Sequence, residues 1–93
     1  MAELLSDEEI KARLDASEWK QEGEHIVRDW KFDDFKAAMA FVNRVADGAE
    51  EANHHPDILV HGWNKVRLSL TNHSAGGLTA TDFDVAKRFD SLR

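Results

Sequence analysis

The chain has no cysteine, one proline, Pro56, and five glycines in 93 residues. Without cysteine there is no disulfide framework, no thiol nucleophile and no thiolate zinc site, and the expected setting is a reducing compartment, the cytoplasm. Basic residues are also few, 12 against 18 acidic ones, for a formal net charge of −6. That balance repels phosphate backbones, which need clustered Lys and Arg to displace counterions, so direct nucleic-acid binding is not expected. The longest apolar run, Ala37 to Val42, is far shorter than the roughly 20 residues of a membrane helix, and the opening MAELLSDEE is too acidic for a signal peptide. Linkers, low-complexity tracts and internal repeats are missing too, which leaves residues 1–93 as one expected domain.

What is present suffices for a core: 42% of the residues are hydrophobic and 32% charged. The negative charge is concentrated early, with 12 acidic and 7 basic side chains in residues 1–47 against 6 and 5 in 48–93. Ser6-Asp7-Glu8-Glu9 is a capping-box pattern, with Leu5 and Ile10 placed as a hydrophobic staple, and predicts a helix over about 7–16. Trp19 to Glu22 and His25 to Phe32 flank Gly23 and predict a hairpin with Ile26, Trp30 and Phe32 on one face. From Asp33, a candidate cap, the period lengthens. Phe35, Met39, Val42 and Ala46, flanked by Ala38 and Val45, predict a helix over roughly 34–52 that stops before Asn53-His54-His55-Pro56. Ile58 to His61, a turn through Gly62 to Lys65, and the alternating Val66 to Thr71 predict a second hairpin with one buried face. After Gly76-Gly77, a second capping box, Thr79 with Asp82, and a Leu78/Phe83 staple predict a helix over about 80–91. The order α-β-β-α-β-β-α reads as an α+β fold, a four-stranded antiparallel sheet carrying three helices on one face.

Candidate chemistry gathers at the joints. His54 and His55 follow the long helix, and His73 ends the last strand before the glycine pair. Imidazole donates and accepts protons near neutrality, so converging histidines suit acid/base work, whereas each one alone reads more readily as a solvated loop residue. Glu50 lies four residues before His54 and, on a continued helix, reaches it to orient the ring or bind a polar ligand, although alone it reads more readily as a solvated helix charge, a role for which Glu51 is the better candidate. Asp82 is explained by capping, and serves a ligand or an imidazole as well only if its carboxylate is shared. Three histidines and a glutamate are a set that zinc accepts, but adjacent histidines diverge and the helical His-x-x-x-His pattern is missing, so no metal is expected. Gly76-Gly77 lacks the Lys-Ser/Thr of a phosphate loop, and no serine sits in a nucleophile elbow.

Taken together, Glu50-x-x-x-His54-His55-Pro56, Trp63-Asn64-Lys65-Val66, Leu70-Thr71-Asn72-His73 and Gly76-Gly77-Leu78-Thr79-x-x-Asp82 resemble pterin-4a-carbinolamine dehydratase. The opening capped helix, the Trp19 region and Phe32-Asp33-Asp34-Phe35 extend the likeness over the whole chain. The resemblance implies the same α+β fold and a cofactor-free hydro-lyase acting on 4a-hydroxytetrahydropterin, within tetrahydrobiopterin recycling. It places the catalytic histidines on His54, His55 and His73, with His54 and His73 at the departing hydroxyl and His55 holding and deprotonating the pterin. Substrate-binding roles then fall to Glu50 and Asp82, and to Trp63 as a stacking surface, a residue that reads equally as a sheet or interface aromatic. Where some members carry an aromatic two residues after the proline this chain has Ile58, and its segment from Pro56 to Trp63 is one residue longer than in some of them. The resemblance further implies a homodimer or homotetramer, to which Phe41 on the long helix is a candidate contact. It also admits a rival, a non-catalytic protein-binding or dimerization cofactor on the same scaffold, and leaves other pterins open as ligands.

Overall fold

The computed structural model describes residues 3–93. Its elements are α1 (Asp7–Asp15), β1 (Lys20–Glu22), β2 (His25–Lys31), α2 (Phe35–Ala52), β3 (Asp57–His61), β4 (Lys65–Leu70) and α3 (Ala80–Asp90). The expected α+β architecture and element order are those observed. The four strands lie in the order β1-β2-β4-β3, every neighbouring pair antiparallel. None of the described helices is long and apolar enough to cross a membrane.

Both capping boxes form. The Glu9 backbone N–H donates to Ser6 Oγ and the Ser6 N–H to Glu9 Oε1, each at 3.2 Å, so two otherwise unpaired donors at the start of α1 are satisfied. At α2 the cap is Asp34 rather than Asp33: its Oδ1 accepts the Ala37 N–H at 2.7 Å, the side chain one position later being the one three residues from a free donor.

The register of β2 on β4 pairs Ile26 with Leu70, Arg28 with Leu68 and Trp30 with Val66. Because side chains alternate, this sets Ile26, Trp30, Val66, Leu68 and Leu70 on the face beneath the helices, and all are buried. Phe41 and Phe89 complete the centre, each fully buried and each contributing roughly 1.5–3 kcal/mol of apolar burial. The open face carries Asp29 opposite Arg67, where Arg67 Nε donates to Asp29 Oδ1 at 2.9 Å and Nη2 to Oδ2 at 3.1 Å. The Arg67 hydrogen bond holds the Asp29 carboxyl below the usual carboxylate range, against a small opposing effect of burial.

The buried face of α2 differs from expectation. Ala38, Phe41, Val45, Gly48 and Ala49 are inside, whereas Phe35 is 55% exposed, Met39 and Val42 are half-buried and Ala46 is exposed. Both rows have helical spacing, and packing chooses between them. A Cβ on Gly48 would sit 3.3 Å from Leu92 Cδ1 and 3.7 Å from Phe89 Cε1, so the side of α2 that bears the glycine is the side α3 approaches. Phe41, proposed above as an intersubunit contact, is therefore core.

Candidate active site

α2 ends by a left-handed turn. Asn53, at φ 50°, caps it, and the Asn53 and His54 N–H groups reach back to Glu50 O and Ala49 O, each at 3.2 Å. Asparagine tolerates this conformation better than most residues, and Pro56 then favours extended backbone at His55. The reversal delivers His54 inward and His55 outward.

His54 Nε2 lies 2.6 Å from Asp82 Oδ1, with the His54 side chain 14% exposed and the Asp82 side chain fully buried. The other oxygen, Oδ2, accepts the Thr79 backbone N–H at 2.8 Å and the Thr79 hydroxyl at 3.1 Å. One carboxylate thus starts α3 and grips an imidazole from the end of α2, the sharing that the sequence made a condition for a double role. An acid in the first turn is also favoured by the N-terminal end of the helix dipole. A carboxylate only accepts, so Nε2 carries the hydrogen and Nδ1 is the ring nitrogen left for exchange.

Glu50 does not partner His54. Since the helix stops at Ala52, the residue four beyond Glu50 has left the helical path, and Glu50 Oε2 instead bonds His55 Nε2 at the exposed rim. The same tautomer follows, again freeing Nδ1. Glu51, expected as a plain solvated helix charge, instead pairs with Arg88 on α3.

His73 lies in the exposed turn between β4 and α3. Asn72 holds that turn: its carbonyl accepts the N–H groups of Ala75 (3.2 Å), Gly76 (2.9 Å) and Gly77 (3.2 Å), while its Oδ1 accepts Ala75 N–H at 3.1 Å. Strand directions bring the histidine segments to one end of the sheet: β3 begins at Asp57 opposite Ser69, and β4 ends at Leu70 opposite Ile26. Trp63 lies at the other end. It follows Gly62 in the β3–β4 turn, both at positive φ (55° and 58°), and is 61% exposed. Within one chain it does not join the histidines. Ile58, on the edge strand β3, is 38% exposed and pairs with Leu68.

One residue at the site end was not singled out from sequence. His25, the first of β2, has Nδ1 3.0 Å from Ser69 Oγ and its ring centroid 6.5 Å from that of His73, at 75°. The signal was available only through register: once Trp30 is set opposite Val66, His25 lies beside the exit of β4. Among the described residues no three His, Asp or Glu side chains converge as metal ligands.

Residues 3–92 match the family model described as pterin 4 alpha carbinolamine dehydratase. A protein of Nostoc sp. that bears a provisional pterin-4-alpha-carbinolamine dehydratase name is 52% identical over 93 residues, covering 99% of each chain. One from Nocardia farcinica with the same provisional name is 48% identical over 91 residues, covering 97% of this chain and 95% of its own. Among solved structures, a transcriptional coactivator/pterin dehydratase from Brucella melitensis superposes with a TM-score of 0.87 at 32% identity, covering 95% of this chain and 96% of that one. A pterin dehydratase-like RuBisCO assembly factor of the alpha-carboxysome gives 0.67 at 25% identity, covering 80% and 87%. The family model, the full-length identities and the fold converge, and the chain belongs to the pterin-4-alpha-carbinolamine dehydratase family.

Proposed function

We propose that this protein dehydrates 4a-hydroxytetrahydropterin to the quinonoid dihydropterin, serving tetrahydropterin recycling as a metal-independent hydro-lyase. The observation that carries the reading is the pair of adjacent imidazoles, each with Nε2 on its own carboxylate, His54 on Asp82 and His55 on Glu50. Anchored in this way, both rings hold a fixed tautomer and offer Nδ1 to a ligand, the arrangement general acid/base catalysis needs.

In the reaction the C4a–O bond breaks with its electron pair leaving on oxygen. An imidazolium, His54 with His73, delivers a proton to that oxygen, so water departs rather than hydroxide. His55 accepts the proton lost from the ring nitrogen as the new C=N bond forms. One proton is given and one taken, so no redox partner enters. Glu50 and Asp82 act through the rings they hold, and Trp63 serves the pterin only if a second subunit brings it to the site. A homodimer or homotetramer is part of the reading, and the exposed Phe35 beside half-buried Met39 and Val42 supports a helix-borne contact. The same surface is what a protein-binding scaffold would use.

The test is to add purified protein to chemically generated 4a-hydroxytetrahydropterin, with EDTA present, and follow the ultraviolet change as quinonoid product forms. Acceleration over buffer, lost in His54→Ala and kept in Phe35→Ser, is expected. No acceleration removes the dehydratase reading in favour of the scaffold, and sensitivity to EDTA would bring a metal into it.

A further inference from the structure

We propose that His25 is a positioning residue for His73, fixing the orientation of its ring; the catalytic meaning of this rests on the dehydratase reading above. His73 Cα is placed by the Asn72-centred turn, but among the described residues no hydrogen bond holds its imidazole. What meets the ring is that of His25, 6.5 Å away between centroids and at 75°, an edge-to-face pairing. His25 is itself fixed. It is half-buried at the start of β2, its Nδ1 bonds Ser69 Oγ at 3.0 Å, and the chain beside it is tied to the exit of β4 by Thr71 Oγ1 donating to Glu24 O at 2.6 Å. An anchored ring thus meets a free one at the end of the sheet where the His54-His55 segment leads into β3.

The experiment reads the ring pair by NMR in the full chain labelled at histidine carbon, with the His73 signal identified by its loss in His73→Gln. A cross-peak between the His25 and His73 ring protons is expected in the wild type. His25→Ala, which removes the anchored ring, and Ser69→Ala, which frees it, are each expected to lower kcat about three- to tenfold at unchanged KM, whereas His25→Phe, which keeps an aromatic ring there, holds kcat near wild type. A missing cross-peak, or a kcat unmoved in both His25→Ala and Ser69→Ala, overturns the proposal, and Ser69→Ala carries the test if His25→Ala unfolds. Should the wild type fail to dehydrate the pterin, the function above falls while the cross-peak still decides the His25–His73 contact.

Discussion

Asp82 binds two parts of the chain at once: Oδ2 closes the first turn of α3 through Thr79, and Oδ1 holds His54 at 2.6 Å. A residue so placed cannot be changed for catalysis alone. Asp82→Ala is expected to cost about 2–4 kcal/mol of stability, because it removes a cap and strands a largely buried imidazole. His54→Ala costs less, since Oδ2 keeps both Thr79 donors and water can enter the vacated rim. Urea denaturation of the two variants measures the difference, and dehydration is expected to fall by at least about 100-fold in both.

At the rim the balance reverses. Glu50 and His55 are largely exposed, with side chains 77% and 57% accessible, so their bond adds little to stability but orients a reacting ring. Glu50→Gln is expected to lower kcat about three- to tenfold with no measurable change in melting temperature, whereas Glu51→Gln leaves kcat alone. Equal effects of the two changes would contradict the pairing of Glu50 with His55.

Local signals in the sequence carried most of this fold. Capping boxes at Ser6 and Thr79, the period shift at Asp33 and the alternation from Val66 to Leu70 each rest on neighbours a few residues apart, and each element formed where expected. What depends on distant contacts was not legible. Two adjoining apolar rows on α2 satisfy the same helical period, and only the approach of Phe89 and Leu92 to Gly48 buries Phe41 and leaves Phe35 outside. The histidine segments were singled out by their place at element ends, but Glu50 was matched to His54 rather than to His55, because the left-handed turn at Asn53 sends His54 to a residue 28 positions on.

Phe41→Ala should destabilise the chain by about 3–5 kcal/mol, the cost of a cavity in a closed core. Phe35→Ser combined with Met39→Ser should leave the unfolding midpoint of the isolated chain within about 0.5 kcal/mol of wild type. Sedimentation of this double variant reads any contribution of the outer row to self-association, which the Phe41 variant cannot do without first loosening the fold.

Trp63 occupies a left-handed backbone position that a bulky side chain adopts at a cost. Trp63→Gly is therefore expected to raise stability by about 0.5 kcal/mol if the indole touches nothing beyond its own chain. A drop in pterin affinity with that substitution would show instead that a neighbouring subunit carries the indole into the site.

On the open face, Asp29 has a folded-state pKa below its unfolded one because of Arg67. The stability this supplies is fully present above the ordinary carboxylate value of about 4 and is lost as pH falls through the depressed folded value. Arg67→Gln should accordingly be slightly less stable than wild type at neutral pH, the difference shrinking with added salt and vanishing in acid. Thermal melts at two salt concentrations across the acid range measure it.

The double attachment of Asp82 also bears on how such a chain could change over time. A lineage that abandoned the chemistry could shed the rim imidazole of His55 freely, since its exposed bond to Glu50 adds little to stability, but would keep the acid at the head of the last helix. An aspartate surviving there with no imidazole at the rim would mark a retired enzyme rather than a working one.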